Sequence, residues 1–346
     1  MDDLASPMAF AVSPQGDLLA ARGASSWSVG RRLVAISRDG TIEPLLPMRR
    51  TFTGNVRPSP DGTRLLVTVG LEAEGRGGKP MGAHIVDLLS GTLRPLDGGM
   101  GNTVSVAEDF APDGRIVTVV FWSLHHYELA LLEQEGAEPE FVLPIEDKRG
   151  AQRGFTMTPD QRYLLFQYLP DGEAGGDGIY MVDLELPVEE RSAVPVVVTD
   201  ASEGGPDLSP DGKWLAYMSD INGLAQIFVR PFDAKNIDAR VRSTSVTREG
   251  GRHPAWSLDG KRIYFMSNDN GLMSAEAVFT GNQVRFAEPQ EIFSGPQLRL
   301  HSNFGFHQIS ELPDGRFVYV REPELDEMSV RYDYVLNWTA GLKQGN

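Results

Sequence analysis

Eight polar residues stand at comparable points along the chain: Asn55, Arg57, Asp109, Arg153, Asp207, Arg252, His253 and His307, with Glu108 beside Asp109. Together they offer carboxylate, guanidinium, imidazole and amide groups, hence donors, acceptors and both signs of charge. Such a set suits a small polar ligand, an ion or a peptide. The same residue types also serve only to hold water and backbone groups in a polar channel.

Other chemistries leave no trace. There is no cysteine, which removes disulfides, thiolate metal sites and cysteine nucleophiles. His125 and His126 are adjacent, so in a strand they face opposite sides, and the remaining histidines lack metal spacing. No metal or other cofactor is expected. No Gly-x-Ser-x-Gly elbow occurs. Gly75-Arg-Gly-Gly-Lys-Pro80 imitates a phosphate loop, but Pro80 stands where Ser or Thr is needed. Asn337-Trp-Thr339 fits a glycosylation acceptor, a pattern that often occurs by chance.

The elements that position the polar set come from a repeat. A turn phrase recurs as Ser13-Pro-Gln-Gly16, Ser59-Pro-Asp-Gly62, Ala111-Pro-Asp-Gly114, Thr158-Pro-Asp-Gln161, Ser209-Pro-Asp-Gly212, Ser257-Leu-Asp-Gly260 and Leu312-Pro-Asp-Gly315. Proline fixes φ, Asp bonds its own backbone, and Gly accepts a positive φ. Seven copies about 50 residues apart, each flanked by short apolar strands, are the pattern of a β-propeller. The expectation is all-β: seven blades of four antiparallel strands, over about 8–46, 55–97, 106–144, 154–200, 205–247, 253–294 and 304–337, in one domain with a tail at 338–346. The last blade lacks an evident fourth strand, and only Asp2 to Pro7 stands ready to supply it. Six blades plus a partial one is the structural alternative.

Two residues before the turn proline stand Val12, Pro58, Phe110, Met157, Leu208 and Trp256, which suit packing between blades. Glu311 breaks that series and suggests a register shift of one. In a four-strand meander the Pro-Asp-Gly turns share one face of the disc. The second-to-third loops, 70–82 and 170–178 being the longest, share the other. The polar set, read as lying just before each first strand, is expected to ring the channel mouth on the loop face.

The charge of −16 argues against a nucleic-acid partner, which needs a basic stripe. No run of 18 apolar residues occurs, so no direct membrane insertion is expected. Met1 to Pro7 lacks the basic start and apolar segment of a signal peptide. The chain is then cytoplasmic, or a fragment that is extracytoplasmic if cut from a membrane receptor. A monomer is expected.

With Ser209-Pro-Asp-Gly-Lys-Trp-Leu-Ala-Tyr-Met-Ser-Asp220 and Pro254-Ala-Trp-Ser-Leu-Asp-Gly-Lys-Arg-Ile-Tyr-Phe-Met-Ser267, the chain resembles the TolB-type, WD40-like propeller repeat over nearly its whole length. Gln15 and Gln161 depart from the Asp-Gly pattern. Phe228-Val-Arg-Pro-Phe232, Gly250-Gly-Arg-His-Pro-Ala-Trp256, Gly271-Leu-Met273 and Tyr334-Val-Leu-Asn-Trp338 resemble propellers attached to bacterial serine/threonine protein kinases. No kinase motif is present. The resemblance implies a non-catalytic propeller that binds a protein, a peptide or a small ligand, as the sensor part of a signalling receptor or as a scaffold. The alternative is an enzyme at the channel mouth, a polysaccharide lyase or hydrolase, using Asp207, Arg252, His253 and His307.

Overall fold

The computed structural model describes residues 9–12, 18–23, 30–70, 81–96, 104–123, 126–133, 135–144, 150–170, 177–237, 241–269, 271–281, 283–294, 310–321 and 330–335. Each turn phrase divides two strands because its proline and positive-φ residue end one extended run and reverse the chain. Two strands, β1 (Ala9–Val12) and β2 (Leu18–Gly23), precede the first strands of the ring, β3 (Arg32–Ile36) and β4 (Ile42–Pro44). Blade A follows with β5 (Phe52–Pro58), β6 (Arg64–Gly70), β7 (Met81–Asp87) and β8 (Thr92–Pro95). Blade B contains β9 (Val104–Phe110), β10 (Ile116–Ser123), β11 (His126–Leu132) and β12 (Glu140–Phe141). Blade C contains β13 (Gly150–Met157), β14 (Tyr163–Pro170), β15 (Gly178–Asp183) and β16 (Val194–Val197).

Blade D is β17 (Glu203–Leu208), β18 (Trp214–Ser219), β19 (Gln226–Pro231) and β20 (Thr244–Ser245). Blade E has β21 (Arg252–Trp256), β22 (Arg262–Met266) and a long β23 (Leu272–Thr280). The far half of β23 pairs with β24 (Gln283–Phe286) and its near half with β25 (Gln290–Phe293), so this blade carries a fifth strand. Blade F closes the ring: β26 (Ser310–Glu311) and β27 (Phe317–Arg321) take β3 and β4 as their outer strands. A separate three-stranded sheet joins β1 and β2 to β28 (Val330–Val335).

The ring therefore has six complete blades, which corrects the expectation of seven and matches the stated alternative. The cause is one exchange of partners. Copying the repeat would pair β2 with β3, but β3 bonds to β27, with Ile36 opposite Phe317 and Arg32 opposite Arg321. β2 pairs instead with β28, Leu18 opposite Val335. Closure is thus made by β3 and β4, and the Asp2–Pro7 strand proposed for that role lies outside the described residues.

Burial confirms the order of six. One apolar cluster joins each pair of consecutive blades among the described residues. Val56 and Leu65 of A meet Val318 of F, and Leu66 and Ile85 of A meet Phe110 of B. Leu129 of B meets Phe166 of C, and Leu165 of C meets Leu215 of D. Trp214 of D meets Trp256 of E. Tyr264 and Met266 of E meet Phe317 and Val34 of F, which completes the circle. Of the series two residues before the turn, Phe110, Met157, Leu208 and Trp256 are buried here as expected, Pro58 is half-buried, and the side chain of Val12 lies outside the described set.

The turns share a face, and their residues interlock. In the Ser and Thr copies the hydroxyl donates to the Asp two residues on and accepts the N–H five residues on, as at Ser59, Thr158 and Ser209. Ser59 and Thr63 hold the Asp61 carboxyl down to about 2. A Cβ on Gly212, at φ +70, would meet Pro159 at 2.7 Å, so glycine serves both the turn and the seat of the neighbouring proline.

Candidate active site in the central channel

The third residue before each turn's proline position is Arg57, Asp109, Thr156, Asp207, Ala255 or Ser310. Each is the penultimate residue of the inner strand of its blade. Repetition therefore brings all six to one level around the axis, at the turn-bearing end. Their side chains reach from blade to blade. Thr156 Oγ1 accepts the Leu208 N–H at 3.1 Å, and Asp207 Oδ2 accepts the Trp256 N–H at 2.6 Å. Blade A has Pro58 at the matching place, which offers no N–H, and Ser310 Oγ donates to the Val56 carbonyl at 3.0 Å instead.

Arg57 links blade A to both its neighbours. Its Nη1 donates to Ser310 Oγ at 3.1 Å, and its Nε lies 2.8 Å from Asp109 Oδ2. The Asp109 carboxylate also accepts its neighbour Phe110 N–H at 2.7 Å. Asp207, on blade D, feels the charges of both Arg57 and Asp109, so three ionisable side chains from three blades converge in the channel.

Burial dominates their electrostatics. Loss of water pushes the Asp207 carboxyl up to about 7, against the pull of Arg57 and of the Trp256 N–H; the negative charge of Asp109 adds to the rise. Burial likewise raises Asp109, the nearby Arg57 offsetting part of the effect. A carboxyl that gains and loses its proton near neutrality, facing a fixed cation across the channel, has the properties of a general base opposite a stabiliser of developing negative charge.

Of the eight residues singled out in the sequence, the structure brings together Arg57, Asp109 and Asp207. They lie within the inner strands near the turn end, not before the strands at the loop-face mouth, because the blade phrase starts earlier than its apolar core suggests. Arg252 and His253 occupy the opposite end of their inner strand. Arg252 is exposed, and His253 takes a φ of +56 where the pairing with β22 slips. Asn55 and Arg153 belong to β5 and β13, and their side chains lie outside the described set. His307 lies outside the described residues altogether.

Thr156, Ser310 and the Trp256 N–H were missed. The offset of three from the turn proline would have found the first two. Among the described residues, no three His, Asp or Glu side chains stand close enough to hold a metal ion, and no helix is long and apolar enough to cross a membrane.

No protein-family model matches the chain. Among solved structures it is similar to a protein assigned as TolB from Agrobacterium tumefaciens, at 19% identity and a TM-score of 0.61, covering 86% of this chain and all of that one. It is also similar to the periplasmic gluconolactonase of Pseudomonas aeruginosa, at 16% identity, TM-score 0.53 and 88% and 96% coverage. A protein assigned as a 6-phosphogluconolactonase from Bacteroides uniformis matches at 14% identity and TM-score 0.52, over 88% and 99% of the two chains. At these identities the likeness establishes the fold, a TolB-like all-β propeller. It also corrects the expectation of a non-catalytic binding propeller, because the same fold in two of these structures bears the name of a lactone-opening enzyme.

Proposed function

We propose that the chain is a hydrolase that opens small cyclic esters, lactones of sugar acids, in its central channel. The observation that carries this reading is Asp207: half-buried in the channel, one oxygen held by the Trp256 N–H, and its carboxyl raised to about 7. A base poised near the working pH transfers protons efficiently in both directions. The gluconolactonase and the protein assigned as a 6-phosphogluconolactonase among similar structures support the substrate class.

In the proposed step, the ionised Asp207 takes a proton from water as the water oxygen bonds to the lactone carbonyl carbon. The carbonyl oxygen becomes an oxyanion, which the Arg57 guanidinium stabilises. The tetrahedral centre collapses, the ring C–O bond breaks, and Asp207 returns its proton to the departing alkoxide oxygen. A sugar carboxylic acid results, and ionises. Asp109 fixes Arg57 through the 2.8 Å ion pair and is not consumed. Among the described residues, two carboxylates against one guanidinium leave the ionised site with a net negative charge. That favours a neutral lactone and disfavours the anionic uronate chains a polysaccharide lyase would cut. The resemblance to kinase-attached propellers adds no residue to this reading.

The test is hydrolysis of D-glucono-1,5-lactone, corrected for its spontaneous rate, by the wild-type chain and by Asp207→Asn. The expected result is kcat/KM that climbs with pH to a plateau above about 7 in the wild type and falls about 100-fold or more in the variant. Equal rates for the two proteins, across a set of sugar lactones, overturn the proposal.

A further inference from the structure

We propose that the cleft between the turns of blades D and E, on the turn face and outside the channel, binds a neutral saccharide. The cleft has a volume of about 580 Å³, within the range of small-ligand sites. Its apolar wall is made by Trp214, Phe232 and Phe279. The Trp214 and Phe279 rings lie 5.5 Å apart at 44°, and Phe279 stacks on Trp256 at 6.3 Å and 21°.

Phe279 stands there because blade E is unlike the others. Its long β23 runs past the blade's fourth strand and returns through Gly281 into β24, which carries the ring out over the turn of blade D. Phe279 nonetheless keeps 43% of its surface exposed. An aromatic face held rigid from behind and open in front is a platform.

The polar rim supplies the rest. Lys213 Nζ lies 3.4 Å from Asp211 Oδ2, and Lys261 Nζ lies 3.9 Å from Asp259 Oδ2; all four side chains are about half exposed or more. Loose surface pairs of this kind contribute little to stability, so they yield readily to a ligand. Each pair presents a donor and an acceptor side by side and carries no net charge. A sugar ring matches both features, with an apolar C–H face for the aromatic platform and hydroxyls that donate and accept. A charged ligand would gain from one member of each pair and lose to the other.

The proposal does not rest on the hydrolase reading. Titration with maltotetraose and with cellotetraose to about 20 mM, followed by tryptophan fluorescence and saturation-transfer NMR, tests it. Saturable binding of at least one sugar is expected. Phe279→Ala should weaken it about tenfold or more, and so should the pair Lys213→Met and Lys261→Met, whose stems keep the local packing. Asp207→Asn should bind as the wild type does, so loss of turnover and loss of sugar binding stay separable. No saturable binding of either sugar overturns the proposal. So does unchanged affinity in both cleft variants, or binding lost only in Asp207→Asn, which would place the sugar in the channel.

Discussion

Asp207 is the residue at which stability and chemistry pull apart. An acid whose folded pKa lies above its unfolded value binds more protons when folded, so stability falls as pH rises between the two. Here the window runs from about 4, the value of an unfolded Asp, to about 7. Replacing the carboxyl by an amide removes that loss. Asp207→Asn should therefore match the wild type in thermal stability near pH 4 and exceed it near pH 8. The excess should be on the order of 1 kcal/mol, since the carboxyl is only half-buried and solvent screens part of the full shift. Melting curves at the two pH values check this, and an equal difference at both would contradict a raised carboxyl. Arg57, Asp109 and Asp207 were legible in the sequence as polar residues of the channel, read there as lying just before each first strand. Their depth was not, because a strand's end is set by where its partner stops pairing and not by its own residues.

The turns show how closely a repeated element reads itself. Where the first residue is Ser or Thr, the turn closes onto the residue five positions on, and the hydroxyl accepts that residue's N–H. Ala111 and Leu312 lack the hydroxyl, and those loops are one residue shorter, closing onto Arg115 and Arg316. These arginines pair with Asp113 and Asp314 at 2.7 and 2.8 Å through Nε, doing for the turn what serine does elsewhere. Glu311 faces Phe317 six residues on, as Phe110 faces Ile116, so the one-residue shift expected there is a property of the short loop.

Its charge also has a partner. The turn of blade E has Leu258 where proline is usual, leaving an N–H that Glu311 Oε2 accepts at 3.1 Å, while Oε1 holds Arg38 at 2.8 Å. Gly62 and Gly212 carry the sharpest constraints of the set, each at a positive φ and with an added Cβ 2.7 Å from the proline of a neighbouring turn. Gly212→Ala combines a φ of +70 with a clash on Pro159 and should cost about 2 kcal/mol. Gln161, at φ +61, occupies the same place in its copy, and Gln161→Gly should stabilise by about 1 kcal/mol. Chemical denaturation of both variants checks the pair of opposite signs, and a destabilised Gln161→Gly would contradict the turn geometry.

At the scale of the molecule, seven phrases make six blades because a ring must be closed by a non-local choice. Turn copies recur about 50 residues apart through the whole chain, so nothing local distinguishes β3 bonded to β2 from β3 bonded to β27. The decision belongs to burial: Leu33 and Ala35 complete the core shared with blade A, while Val34 and Ile36 complete the one shared with blade E. A cysteine-free chain makes this easy to test. Arg32 and Arg321 lie opposite each other across β3 and β27, so cysteines at the two positions should form an intramolecular disulfide on mild oxidation. Thiol titration reads the outcome, and two persistent free thiols would contradict the closure.

With the ring closed, its level of six inner-strand residues places Asp207 across the channel from Arg57, and the proposed chemistry turns on the state of that carboxyl. A ¹³C NMR titration of the Asp207 side chain, identified by its loss in Asp207→Asn, tests it most directly. The predicted midpoint is about 7. A midpoint near the ordinary carboxylate value of about 4 would contradict it.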